Sequence, residues 1–130
     1  MSGPKIFDND DAMDWIYDLQ EEGSLADVNE ALDLIVRSRS NPLDLTDSRI
    51  ALAAAEIVAA MNGDSSPELP EEAEDWLIGK PSASEVLRSK AEEAIRKISQ
   101  TSELIDFWTE RGQLDRWRLA VNDLIKRLEA

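Results

Sequence analysis

Ile50-Ala51-Leu52-Ala53-Ala54-Ala55-Glu56-Ile57-Val58-Ala59-Ala60-Met61 carries one charged residue among eleven apolar ones. A helix of 3.6 residues per turn spreads such a run over every face, so it has no side left for water and must be covered by protein all round. Its alanines allow neighbouring helices to approach closely. Asp47 opens the segment and Gly63 stands where a helix-ending residue with positive φ is favoured, which predicts a central helix over residues 47–62.

The chain on either side reads as more helices with short breaks. On the N-terminal side, Asp8-Asn9-Asp10-Asp11 supplies a cap and first-turn acids, and Ala12, Trp15, Ile16 and Leu19 repeat at helical spacing as far as Gly23. Ser24, with Asp27 three residues on, approximates a capping box for a helix bearing Leu25, Val28, Leu32, Ile35 and Val36. That helix runs to about Arg39 before Asn41-Pro42 ends it. Residues 40–47 read as a loop with two buried anchors, Leu43 and Leu45. On the C-terminal side, Pro70 suits the N1 position of a short helix with Ala73, Trp76 and Leu77, closed by Gly79 and Pro81. A longer helix from about Ser84 aligns Leu87, Ala91, Ala94, Ile95 and Ile98. Ser102 caps a segment with Leu104, Ile105, Phe107 and Trp108 that Gly112 ends. The last helix places Leu114, Trp117, Val121, Leu124 and Leu128 on one seam. With no β-type alternation and no internal repeat, residues 1–130 are expected to form a single compact all-α domain of about seven helices.

Composition narrows the chemistry. The chain has 130 residues, 42% of them apolar, and neither cysteine nor histidine, which removes disulfides, thiolates, zinc clusters of the usual ligands and imidazole catalysis. No apolar run reaches the roughly 18 residues of a membrane span, and Met1-Ser2-Gly3-Pro4-Lys5 has no signal-peptide core, so a cytoplasmic location is the expectation. The net charge of −14 is unevenly placed: residues 1–79 hold 19 acids against 4 Lys/Arg, while residues 80–130 hold 9 against 10. Such a field argues against nucleic acid and anionic membranes as partners and favours a basic protein.

Several of these segments together resemble a mainly bacterial family catalogued as domain of unknown function 4259. They are Phe7-Asp8-Asn9-Asp10-Asp11-Ala12-Met13-Asp14-Trp15, the central Ala53 to Ala60 segment, Leu69-Pro70, Trp76, Ser102-Glu103-Leu104 with Trp108, and Trp117 to Leu128. Members commonly open with a Trp-Gly-Thr-Gly-like stretch before the Phe, where this chain has Ser2-Gly3-Pro4-Lys5-Ile6. The resemblance implies a small helical domain. It supplies no activity, cofactor or catalytic residue to carry over.

Three groups of residues are candidates for function. Asp8-x-Asp10 hints at a calcium loop, but the third ligand, the turn glycine and the distal Glu of such a loop are missing. The structural reading is that Asp8 caps the first helix, Asp10 and Asp11 face its dipole, and Phe7 staples the chain onto the first turn. Along the first two helices, Asp11, Asp14, Asp18, Glu21, Glu22, Asp27, Glu30 and Asp33 form a carboxylate-rich surface, either a solvated face or a docking surface for a cationic protein. Glu56, alone in the apolar helix, needs a partner: an Arg, a Trp indole N–H, or backbone donors near the first motif. Its functional alternative is a general acid or base of raised pKa.

The four tryptophans share helical stripes with aliphatic residues and read as core. Arg111, Arg116, Arg118, Lys126 and Arg127 are interspersed with acids and read as an ordinary mixed surface. The expectation is therefore a non-enzymatic acidic protein without cofactor or metal. It would engage a basic partner, most concretely as an immunity- or antitoxin-like inhibitor occluding a toxin such as a nuclease. The alternatives are an enzyme working through clustered carboxylates and a divalent metal, and a structural homodimer or larger homo-oligomer.

Overall fold

The computed structural model describes residues 5–129. Seven helices follow one another: α1 Asp10–Glu22, α2 Leu25–Val36, α3 Leu45–Met61, α4 Glu71–Leu77, α5 Glu85–Gln100, α6 Glu103–Glu110 and α7 Leu114–Glu129. The fold is all-α, and no strand occurs among the described residues.

Helix α3 touches each of the other six helices. Every residue from Ala51 to Ala59 is buried, Glu56 included, as a helix apolar on all faces requires. Helices α2, α5 and α7 pack side by side against it, α1 and α4 cover another flank, and α6 closes a third with α7. The seam of α7 lies inward as expected, with Trp117, Val121, Leu124 and Leu128 buried and Ile125 beside them.

Two starts differ from the sequence reading. The cap of α1 is Asn9, not Asp8: the Asn9 side chain accepts the Ala12 N–H at 2.8 Å and donates to the Ile6 carbonyl at 3.1 Å. An amide can accept and donate at once, so it closes the helix start and the preceding turn together, which an ionised Asp cannot do. Asp8 is exposed, while Asp10 and Asp11 do occupy the first turn. Helix α3 begins two residues early, because Asp44 accepts the Asp47 N–H at 2.9 Å and makes Leu45 the first helical residue. The loop before it is anchored by Leu43, fully buried, whose N–H donates to the Thr101 carbonyl at 2.8 Å and whose carbonyl accepts the Glu103 N–H at 2.9 Å. Leu45 gives its own N–H to the Glu103 carboxylate at 3.0 Å. Pro70 stands at the cap of α4 rather than at its first helical position, and α2 ends at Val36.

Helix ends are closed by long-range cations as well as by local turns. At Gly63 (φ 84°) the N–H donates to the Ala60 carbonyl and that of Asp64 to the Ala59 carbonyl, a Schellman closure of α3. Helix α2 has no basic residue in its last turn, and Lys97 from α5 donates to the carbonyls of Ile35 and Ser38 at 3.0 and 2.8 Å. Arg88 does the same for the Leu128 carbonyl of α7, and Arg118 for the Ser99 carbonyl of α5.

Close packing around α3 makes its alanines size-critical. Ala54→Leu is expected to lower unfolding free energy by about 1–3 kcal/mol through overpacking, read as a lower urea midpoint at unchanged slope. At the α1–α2 corner, a Cβ on Gly23 would collide with the backbone and side chain of Leu19. Gly23→Ala should therefore cost more than about 1 kcal/mol by the same measurement.

Candidate functional site

Helices α1 and α2 both lie on α3 and meet at the tight corner of Gly23-Ser24. The corner is fixed from two sides. Asp27 accepts the Ser24 N–H at 2.8 Å in the capping-box arrangement, and the Trp76 indole donates to the Gly23 carbonyl at 3.1 Å. With the corner held, the outer faces of the two helices form an acidic surface, and a cleft of about 400 Å³ opens in it. Half-buried Trp15 and buried Leu19 form its apolar wall, and Asp18, Glu21, Glu22 and Asp27 surround them.

The eight acids expected to share this surface fall into two groups. Asp14, Asp18, Glu21, Glu22 and Glu30 are exposed and have no hydrogen-bond or ion-pair partner among the described residues. Asp11, Asp27 and Asp33 are engaged within the protein. Asp11 pairs with Arg49 of α3 at 3.1 Å, and Asp27 holds the α2 start. Asp33 meets Lys90 of α5 at 2.8 Å, with Arg37 at 3.8 Å on its own helix. The hydrogen bond from Lys90 holds the Asp33 carboxyl below the usual carboxylate range, against the opposing effect of burial.

Glu56 has the structural partner expected of it, and that partner is an arginine. Arg127 of α7 meets it in a two-pronged pair, Nη1 to Oε1 at 2.7 Å and Nη2 to Oε2 at 2.9 Å. The guanidinium also donates to the Asp64 carbonyl at 3.1 Å and to Asp123 at 2.9 Å. This network raises the Arg127 pKa, chiefly through its hydrogen bond to Glu56. Arg127 is therefore not part of a mixed solvent surface. The sequence carried one hint, the Asp123–Arg127 spacing of four on a single helix face. The partnership with Glu56 spans 71 positions and has no local signal.

Of the tryptophans, Trp76 and Trp117 are buried, whereas Trp15 and Trp108 are half-buried against the core. Trp15 thus serves two environments, packing on the core and lining the acidic cleft. Among the described residues, no three acidic side chains converge closely enough to share a metal ion, and no helix is long and apolar enough to cross a membrane.

A model of the family described as Domain of unknown function (DUF4259) matches residues 1–120, nearly the whole chain, and the protein belongs to that family. Among curated proteins and among solved structures, none matches it.

Two outcomes test the electrostatic assignments. Glu56→Leu removes the two-pronged partner of Arg127, which keeps Asp123 and the Asp64 carbonyl, and should cost about 1.5–3 kcal/mol. Arg127→Leu strands the buried Glu56 carboxylate and should cost about 3–5 kcal/mol. The double change to Leu should cost far less than the two summed, in a double-mutant cycle. Asp33, whose folded pKa is depressed, contributes stability above its unfolded pKa and loses it as pH falls through the folded one. The gap in melting temperature between the parent and Asp33→Asn should be full at neutral pH and close on acidification below the usual carboxylate range.

Proposed function

We propose that this DUF4259 protein is a non-enzymatic binding module of the cytoplasm whose α1–α2 surface engages a basic protein. The observation that carries this reading is the contrast among its acids. Asp11, Asp27 and Asp33 have structural partners, yet five others of the expected surface remain open to solvent, four of them, Asp14, Asp18, Glu21 and Glu22, on one face of α1. Three of the five, Asp18, Glu21 and Glu22, border the Trp15 cleft. An indole face beside carboxylates suits a Lys or Arg side chain, which gains a cation–π contact as well as charge-assisted hydrogen bonds.

The most concrete form of the module is an inhibitor. A basic groove that normally takes phosphates is complementary to a row of carboxylates, and a compact domain seated there blocks access by bulk. The net charge of −15 on residues 1–79 speeds encounter with such a target. Exposed pairs are screened over about 8 Å at physiological ionic strength, so association should weaken steeply with salt.

A tagged pull-down from native lysate at low and moderate salt, with the triple variant Asp14→Lys, Asp18→Lys and Glu22→Lys beside the parent, tests the proposal. One stoichiometric basic protein, retained by the parent at low salt and lost both with salt and in the variant, is the expected result. Purified, that protein should lose its own activity on addition of the parent. Binding indifferent to salt and to the three reversals would overturn the mechanism, and so would empty captures at both salts.

A further inference from the structure

A second cleft, of about 490 Å³, shares no residue with the acidic one. One face of α7 forms its long wall, with Arg116, Leu119, Asp123 and Arg127 following each other at helical spacings. Residues 5–7 and 66–68 form the opposite wall, and Glu56 lies at its base.

Charge in this cleft is separated along its length. Lys5 is neutralised by Glu68 at 3.2 Å. Arg127 is shared by two carboxylates, Glu56 and Asp123, which leaves that end with one unbalanced negative charge, on the side of the more exposed Asp123. Arg116, at the other end, is exposed and has no ion-pair or hydrogen-bond partner among the described residues. Between the two ends lies apolar surface: Leu119, 70% exposed, faces the cleft with Phe7 and Pro67. The seven positions from Arg116 to Asp123 rise about 10 Å along the helix, and the unpartnered Arg116 side chain has the rotamer freedom to hold its guanidinium at about that distance from the Asp123 carboxylate. Three residues of extended peptide span about the same distance.

The geometry points to a binding site for a free zwitterionic peptide of about three residues, its α-carboxylate on Arg116, its α-ammonium on Asp123 and a central apolar side chain over Leu119. The site is independent of the α1–α2 surface. It needs nothing further to form, since the Glu56–Arg127 pair already fixes the Asp123 end.

Titration of the ¹⁵N-labelled full chain with the tripeptide Ala-Leu-Ala tests it, against the same peptide N-acetylated or C-amidated. The expected result is saturable shifts at the amides of Arg116, Leu119 and Asp123. Neutralising either peptide end should weaken binding about tenfold or more, since each end makes a hydrogen-bonded ion contact. Arg116→Gln, at an exposed position without partners, should weaken the free-acid peptide by a similar factor and leave the C-amide unchanged. Asp123→Asn should do the same for the ammonium end. Absence of shifts at millimolar peptide would overturn the assignment. Equal binding of free and blocked peptides would also overturn it, by showing an apolar contact without charge recognition.

Discussion

A helix with no polar face has to be enclosed, and α3 imposes that constraint on everything around it. Six helices are the means of enclosure, and their short connections follow from having to return to the same axis repeatedly. The small side chains of the alanine run let neighbours approach closely, which is why a chain of modest length can surround a helix completely. Within this enclosure Glu56 is the exception, and its ion pair with Arg127 makes the exception tolerable. A buried carboxylate needs a partner as rigid as itself, and the planar guanidinium supplies two parallel hydrogen bonds where an ammonium would supply a point charge. Because Arg127 also holds Asp64, the pair fixes the end of α3 and the last turns of α7 to each other.

Charge in the protein is divided by task. The second half of the chain is nearly neutral in sum, but its cations reach outward to do specific work: Lys97 closes α2, Lys90 meets Asp33, and Arg127 meets Glu56. The first half supplies most of the acids, and more of them than these cations engage. The open carboxylates of α1 are this surplus. Their density makes the surface strongly negative, and the half-buried indole of Trp15 gives it a feature that solubility alone does not require.

How much of this the sequence reveals depends on the range over which each feature is encoded. The seven helices were legible because apolar spacing and stop residues are local, and the central helix because an unbroken apolar run leaves one solution. The cap of α1 falls one residue beyond Asp8, since Asp8 and Asn9 are both good caps and only the turn at Ile6 distinguishes an acceptor from a group that also donates. The start of α3 is not decided by local sequence, because Asp44 and Asp47 are equivalent caps by type. Leu43 reads as an anchor in the sequence, but its pairing with the Thr101–Glu103 segment depends on contacts across the fold. Of the acidic surface, the sequence showed the helical face and not the division into paired and open groups, which rests on Arg49 and Lys90 arriving from α3 and α5. The α7 cleft was invisible, because its walls come from three distant stretches and its charges are individually unremarkable.

The stretch between α4 and α5 is exposed from Ile78 to Ser82, and few of its groups are tied to the rest of the molecule beyond the turn closing α4 and the Lys80 ammonium over the Trp76 ring. Apart from that cation–π contact and the Ala83 N–H donated to the Asn62 side chain at 2.9 Å, the contacts that join the acidic half to the near-neutral half lie elsewhere. They run through side chains meeting across space, from α5 and α7 back to α2 and α3. Covalent continuity at that point is thus a convenience of synthesis more than a support of the fold. The chain is in effect two pieces held by a shared core and by individual ion pairs, joined by an exposed strap of the kind that tolerates insertion.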